Sequence, residues 1–416
     1  MGLNGSFSPP GDKSISHRAA LFSLLATGEG RFTNMSTAED VRSSLRAVER
    51  LGVEAAEDGN VVILRGPARK SAGEAALDCG NSGTTMRLLM GILAGLNGGF
   101  ILDGDGSLRK RPMERVAGPL RLMGARIECC EGKAPITING GSLKGIHYRL
   151  PVASAQLKSA VLLAGIQAEG TTTVVEPVPS RDHTERLLPL FRGRVAAEGN
   201  SITVERCRLF MPDSFHIPGD TSTAAFFLAA AAVIPGSDVT ARGVLLNPTR
   251  TGSLNVLKRM GAFVEIEPHG DAPEPWGTVR VKYTPALTGT EVVADEIPSL
   301  IDEVPILAFV ATQAEGTTCF RGVGELRVKE SDRLAAISGQ LGKMGATIRI
   351  EEDCLLVEGP TRLTAPARLD SLGDHRIAMT LRLAGLKAGA EPEITDEACA
   401  SISYPGFRDE LARLMK

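Results

Sequence analysis

Several short stretches of this chain place cations, hydroxyls and carboxylates close enough in sequence to act together. Pro10-Gly-Asp-Lys13-Ser14-Ile-Ser-His-Arg18 joins a glycine turn to a lysine, a serine able to cap a helix, and an arginine one turn further on the same face. Asn81-Ser-Gly83-Thr84-Thr-Met-Arg87 repeats the design, with Gly83 allowing close backbone approach. In Arg109-Lys-Arg111-Pro-Met113 the proline fixes the approach to a helix and aims Arg111. Leu326-Arg-Val-Lys329-Glu330-Ser-Asp-Arg333 is the densest group, and on a helix Lys329, Glu330 and Arg333 would share a face. Asp374-His-Arg376 adds a further cation, and Asp302 lies in an apolar run where partial burial would raise its pKa toward use as a base. Lysine as a point charge and arginine as a planar fork suit phosphate and carboxylate oxygens, so the chemistry implied is binding of several negative charges beside one general base. Taken singly, each stretch also fits a capped surface helix or a surface ion pair.

The elements that must hold these residues repeat. A polar helix start, a helix of small residues, a glycine and a β-rich stretch recur six times, about every seventy residues. Ser14 to Gly30, Ser154 to Gly170 and Asp220 to Gly236 span the same interval of 16 residues. Between these copies runs a second phrase: Leu51-Gly-Val, Met123-Gly-Ala, Met260-Gly-Ala and Met344-Gly-Ala, with a weaker version at Phe191-Arg-Gly193. Each follows an amphipathic helix that the glycine stops before the next strand. Each copy therefore reads as a split βαβ unit with two helices, and the polar turn Glu57-Asp-Gly-Asn60 closes a hairpin. Equivalent helix N-termini carry unpaired N–H groups and a positive dipole end, which suits anions.

With 416 residues the chain exceeds one ordinary core, so the six copies divide into two pseudo-symmetric domains with a cleft between them. A net charge of −3 and 4% aromatic content argue against nucleic-acid or membrane recruitment and against base-stacking platforms. No P-loop is present, so nucleotide binding is not indicated. The seven cysteines are odd in number and form no CxxC pair, which favours reduced cytoplasmic thiols over zinc or a disulfide framework. No secretory signal is expected at the N-terminus, and the apolar stretch from Ala224 to Pro235 is too short for a membrane span and reads as a buried helix.

Taken together and in order, these motifs resemble the 5-enolpyruvylshikimate-3-phosphate synthases over essentially the full length. The resemblance rests on the Lys13–Arg18 stretch, Gly80-Asn-Ser-Gly-Thr-Thr-Met-Arg87, Lys110-Arg-Pro-Met113, Ser154-Ala-Gln156, Arg327-Val-Lys-Glu-Ser-Asp-Arg333 and Asp374-His-Arg-Ile-Ala-Met379. It implies an α/β (α+β) fold of two domains, each of three βαβαββ units arranged as an inside-out α/β barrel, with the active site in the interdomain cleft. One domain is expected at 12–218 and the other at 1–11 plus 219–416, with hinges near 11–12 and 217–220. The implied activity is transfer of the enolpyruvyl group of phosphoenolpyruvate to the 5-hydroxyl of shikimate 3-phosphate, by addition and elimination through a tetrahedral intermediate. No metal and no organic cofactor are implied, and the resemblance points to a cytoplasmic monomer open to the inhibitor glyphosate.

By the same resemblance, Lys13, Ser14, Arg18, Ser154, Ala155, Gln156, Arg181, Asp302 and Lys329 hold shikimate 3-phosphate. Phosphoenolpyruvate falls to Lys13, Asn81, Gly83, Thr84, Arg111, Gln156, Arg333 and Arg376. Asp302, Glu330 and Lys13 are the catalytic residues implied, with Asp302 facing the 5-hydroxyl. Two positions depart from the pattern: Ile402 stands where several members carry lysine, and Arg181-Asp-His183 stands where some carry Lys-Pro-Tyr. The short run before Lys13 leads us to expect a curtailed N-terminal strand. A sister enzyme acting on UDP-N-acetylglucosamine shares the fold, but it usually carries a reactive cysteine where Gly104-Asp-Gly-Ser107-Leu has none, and Lys-Asn where this chain has Lys13-Ser14. A non-catalytic anion-binding repeat protein would need the cations but not Asp302 and Glu330.

Overall fold

The computed structural model describes residues 2–67 and 73–416. The chain forms two compact units, Gly11–Ile217 and residues 2–10 with Pro218–Lys416. Five four-stranded sheets share one order of pairing. In one of them Gly73–Asp78 runs parallel to Gly98–Asp103, which pairs antiparallel with Lys133–Gly140, which in turn pairs antiparallel with Arg126–Cys130. Parallel neighbours require a crossover, and the helix Gly83–Ala94 supplies it. A second helix, Glu114–Leu122, leads to the closing hairpin. The repeated phrase is therefore a βαβαββ unit, as its helix starts and glycine stops imply.

The sixth copy departs from this pattern. It keeps the parallel pair Arg368–Asp370 and Glu393–Thr395 around the helix His375–Lys387, but a 3-10 turn at Glu397–Ile402 and the helix Phe407–Leu414 follow in place of a hairpin. Among the described residues the sheets remain open and none closes on itself.

Two first strands are exchanged along the chain. Asn4–Phe7 precedes the helix Lys13–Phe22, yet it pairs parallel with Asp238–Ala241. Ser214–His216 precedes the helix Thr221–Val233, yet it pairs with Arg31–Thr33. The chain thus passes between units at 10–11 and again at 217–218. The four-residue N-terminal strand is anchored by aromatic packing, since Phe227 meets Phe7 edge-on at 5.3 Å and stacks on Phe407 at 5.2 Å.

In each unit the first helix of every repeat lies in the core. Lys13–Phe22 packs on Gly83–Ala94, which packs on Ala155–Gly165. A Cβ at Gly91 would stand 2.1 Å from the Ala160 carbonyl oxygen, so only glycine allows these helices to approach so closely. In the other unit Thr221–Val233, Val304–Ala311 and His375–Lys387 pack on one another, and every residue of Thr221–Val233 is buried. Each buried Phe or Leu in these helices contributes roughly 1.5–3 kcal/mol. Helices in the middle with sheets outside match the inside-out arrangement, without barrel closure.

The second helices end where the sequence places their glycines. Gly52, Gly124, Gly261 and Gly345 have φ of 95°, 103°, 92° and 96°, the left-handed stop that glycine adopts without strain. At the weaker copy Arg192 takes that conformation, with φ 59°. Among the described residues no helix is long and apolar enough to cross a membrane.

Candidate active site

The chemistry-bearing residues collect at or just before the N-termini of helices, both central and second, one group in each unit. In Gly11–Ile217, Asp12 caps the helix Lys13–Phe22 by accepting from Ile15 N–H at 2.9 Å. Ser14 is therefore not the cap: the helix begins one residue before it, and the Asp12 carboxylate meets the orphan N–H first. Lys13 pairs with Asp40 at 2.9 Å. Arg18 is buried and donates to Thr184 Oγ1 at 2.8 Å, to Ser159 Oγ at 2.7 Å and to the Ser14 carbonyl at 2.9 Å.

Ser82 caps Gly83–Ala94. Gln156 joins that helix start to the next one, because its Nε2 donates to Thr84 Oγ1 at 2.9 Å while its Oε1 accepts from Arg87. Arg111 is buried and donates to Asn81 Oδ1 at 2.6 Å, whereas Arg109 stays at the surface on Asp103. Asn81 in turn donates to Asp105 at 2.6 Å. Gly83 lies under both guanidiniums: a Cβ there would stand 3.3 Å from Arg111 Nη1 and 3.6 Å from Arg87 Nη1. Ser154 caps Ala155–Gly165, which puts Ala155 and Gln156 in its first turn, and Arg181 sits half-buried just before His183–Leu190.

Sequence reasoning passed over three features here. His17 is buried, with Nδ1 against Ser44 Oγ at 2.8 Å, and Ser44 continues to Thr85 Oγ1 at 2.8 Å. Burial first, then the Lys13 and Arg18 charges, hold its imidazole well below the usual value, so it is neutral at pH 7. The Arg87–Gln156–Thr84 link and the buried Lys158 were also passed over. A lone lysine inside the apolar run Leu157-Lys-Ser-Ala-Val-Leu-Leu163 was the available signal for the last.

In the other unit Arg333 is a buried hub. It donates from Nε to Asp374 Oδ2 at 2.8 Å, from Nη1 to Asp302 Oδ1 at 3.2 Å, and from Nη2 to Glu330 Oε2 at 2.7 Å and Asp374 Oδ1 at 3.3 Å. Arg376 lies 3.7 Å from Asp302 and 3.8 Å from Glu303. Asp374 also caps His375–Lys387, accepting from Arg376 N–H at 2.9 Å, and it takes the Ser331 hydroxyl at 3.1 Å. Burial pushes the Asp374 carboxyl up, but the Arg333 charge and hydrogen bond outweigh it, so its pKa lies below the usual range. The guanidinium of Arg333 is pushed up in return: burial opposes its charge, and Asp374, Glu330 and Asp302 together overcome that. Asp302 is half-buried in a 3-10 turn at Ile301–Glu303, ahead of Val304–Ala311.

Lys329 and Glu330 do not share a helical face with Arg333. The helix starts at Arg333, capped by Asp332, which accepts from Ala335 N–H at 3.1 Å. Lys329 and Glu330 lie on the preceding loop, where Glu330 still reaches the guanidinium. Ile402 ends the 3-10 turn Glu397–Ile402 and supplies no charge there.

The two groups differ in electrostatics. Arg18, Arg87 and Arg111 donate to hydroxyl, carbonyl and amide oxygens. Arg333 and Arg376 face carboxylates instead, an arrangement suited to holding and moving protons.

The sequence and fold are shared with known proteins. The profile of the family described as EPSP synthase (3-phosphoshikimate 1-carboxyvinyltransferase) matches residues 1–411. The 3-phosphoshikimate 1-carboxyvinyltransferase of Bacillus licheniformis is 46% identical, covering 99% of this chain and 97% of its own length. That of Thermus thermophilus is 48% identical, covering 99% and 96%. A solved EPSP synthase from Acinetobacter baumannii superposes with a TM-score of 0.85 at 40% identity, covering 99% of this chain and 96% of that one. The enolpyruvyl transferase NikO from Streptomyces tendae, at 17% identity and a TM-score of 0.78 over 100% and 95%, shares the fold. With a profile match over nearly its whole length and relatives at these identities, the chain belongs to the EPSP synthase (3-phosphoshikimate 1-carboxyvinyltransferase) family.

Proposed function

We propose that this transferase moves the enolpyruvyl group of phosphoenolpyruvate to the 5-hydroxyl of shikimate 3-phosphate and releases phosphate, a step of the shikimate pathway toward aromatic amino acids. The observation that carries the reading is the Arg333 hub, which fixes Asp302 and Glu330 on one guanidinium. A protein that only bound anions would gain nothing from two carboxylates held in this way.

Asp302 accepts the 5-hydroxyl proton as that oxygen attacks C2 of the enol, while C3 gains a proton. Loss of a proton from C3 then expels phosphate from the tetrahedral intermediate. Glu330 and Lys13 handle the proton at C3 and the charge on the departing phosphate. Ser14, Arg18, Ser154, Ala155, Gln156, Arg181 and Lys329 hold shikimate 3-phosphate. Lys13, Asn81, Gly83, Thr84, Arg111, Gln156, Arg333 and Arg376 hold phosphoenolpyruvate. Arg333 already spends four hydrogen bonds on carboxylates, so phosphoenolpyruvate reaches it by taking the remaining N–H or by displacing one of them. Glyphosate competes with phosphoenolpyruvate, and the protein works as a cytoplasmic monomer.

The test is phosphate release from phosphoenolpyruvate, followed with shikimate 3-phosphate, with UDP-N-acetylglucosamine and with neither. Release only with shikimate 3-phosphate is expected. Release only with the nucleotide sugar, or with no acceptor, overturns the reading.

A further inference from the structure

Lys158 is the one residue of the Ala155–Gly165 helix whose charge is buried and whose use the reaction leaves unexplained. Its side chain is 1% exposed. The ammonium meets Glu185 Oε1 at 2.6 Å, Glu176 Oε2 at 2.7 Å and the Ser180 carbonyl at 3.3 Å, so its three donors are matched by three acceptors. A buried charge is costly unless paired in this way, and two carboxylates on one cation leave the cluster with a formal excess of one negative charge. Burial pushes the Glu185 carboxyl up, with Lys158 pulling against it.

Lys158 and its acceptors belong to three pieces of chain, and each piece leads to a residue of the shikimate side. Lys158 stands one turn from Ser154, the cap of its own helix. Glu176 closes the turn 176–180 on itself, since its other oxygen accepts from Ser180 N–H at 3.2 Å and from the Ser180 hydroxyl. Arg181 follows directly, so its backbone leaves from a point that Glu176 and Lys158 hold. Glu185 belongs to the helix His183–Leu190 next to Thr184, which accepts from Arg18 Nε. Ser159 and Thr184 hydrogen-bond at 2.7 Å, so Lys158–Glu185 and Ser159–Thr184 are successive rungs of one crossing.

We propose that Lys158, with Glu176 and Glu185, is a positioning cluster that sets Arg181 and the Arg18–Thr184 contact for the shikimate 3-phosphate anion, and so governs affinity for that substrate selectively. The proposal rests on the functional reading above. Without the ammonium, two buried carboxylates face each other and Ser180 loses a partner, so Arg181 and Thr184 shift while the Asn81–Arg111 group keeps its own bonds. A helix staple of purely structural purpose would alter stability but treat both substrates alike.

The test measures KM for each substrate, kcat and melting temperature for the parent, Lys158→Met and Glu176→Gln. The glutamine keeps the volume and an acceptor for Lys158 but turns an amide N–H toward the Ser180 N–H, so it perturbs Arg181 even if the methionine variant does not fold. A misplaced charged contact costs about one to two decades in affinity. We expect the KM for shikimate 3-phosphate to rise by about that factor while the KM for phosphoenolpyruvate and kcat stay within about threefold. Lys158→Arg should recover folding but not that KM, since a planar fork cannot aim one nitrogen at three converging acceptors. Equal increases in both KM values, or a lower melting temperature with both unchanged, overturn the positioning role and leave the functional reading intact. A parent that releases no phosphate overturns both.

Discussion

Replacing Arg333 by methionine tests the hub, and its signature is a change of sign with pH. In the parent the Arg333 charge overcomes burial, so the folded-state pKa of Asp374 lies below its unfolded value of about 3.9. Stability from such a group is present above the unfolded pKa and is lost as pH falls through the depressed folded value. Between pH 8 and pH 5 Asp374 therefore contributes a constant amount. Methionine removes the counter-charge and two hydrogen bonds from a carboxylate that is 0% exposed. Burial then dominates, Glu330 adds to it and His375 opposes it, so the folded pKa rises above the unfolded one. The sign inverts: stability from Asp374 is now full below the unfolded pKa and is lost as pH rises through the raised value. Breaking a buried pair costs about 3–5 kcal/mol. In a unit of some 200 residues, 1 kcal/mol corresponds to roughly 2–4 °C, so the deficit at pH 8 is about 6–20 °C. Below the raised pKa it should shrink by up to about 1.4 kcal/mol, or about 3–6 °C, per pH unit. Thermal melts of parent and variant from pH 8 to 5 supply the comparison, and the difference between them cancels the titration of groups common to both. A difference that stays constant or widens on acidification refutes the reasoning.

Three further outcomes are expected. Asp302→Asn keeps the size and the contact with Arg333 but not the base, so kcat should fall by about a hundredfold or more while both substrates still bind by calorimetry; activity within a few-fold of the parent would make Asp302 a binding group only. Gly83→Ala puts a Cβ 3.3 Å from Arg111 Nη1, so Arg111 must yield by a few tenths of an ångström; the KM for phosphoenolpyruvate should rise about tenfold and the inhibition constant for glyphosate by more, and a parent already insensitive to glyphosate removes the premise. With hinges proposed at 11–12 and 217–220, shikimate 3-phosphate plus glyphosate should lower the radius of gyration in small-angle scattering, because a ligand bound better by a closed form shifts the population toward it; an unchanged radius with binding confirmed by calorimetry refutes closure.

The fold was legible wherever its causes are local. Ser154, Asp220 and Asp374 cap central helices at the starts read from the sequence, Asp12 and Ser82 cap within two residues of the expected Ser14 and Asn81, and Gly52, Gly124, Gly261 and Gly345 each stop a second helix. Such signals expose the repeat without any knowledge of pairing. The exchange of Asn4–Phe7 and Ser214–His216 between units was not legible, because strand pairing is long-range: Asn4 meets Asp238, and Ser214 meets Arg31. The helix frame at Lys329–Arg333 was misread although Ser331-Asp332 carried a capping signal, which the denser run of charges obscured. The site followed the same division. Cation-bearing motifs could be read as stretches, whereas the hub of Arg333 spans 41 residues to Asp374 and the Lys158 cluster spans 27 to Glu185, distances that no periodicity links.

One repeated backbone presents different charges at its helix starts. The same helix start that presents Lys13, Gly83 and Gln156 in one unit presents Asp302 and Asp374 in the other. A helix N-terminus favours an anion and does not care whether it comes from a ligand or from a carboxylate of the chain itself. At Lys13–Phe22 the Asp12 carboxylate caps the helix, whereas Gly83–Ala94 and Ala155–Gly165 are capped by the neutral hydroxyls of Ser82 and Ser154. At Asp374 the anion is built in and Arg333 pairs with it, as Arg250 pairs with the Asp220 cap of Thr221–Val233. The pseudo-symmetry therefore lies in the backbone, and the charges that the helix starts carry break it.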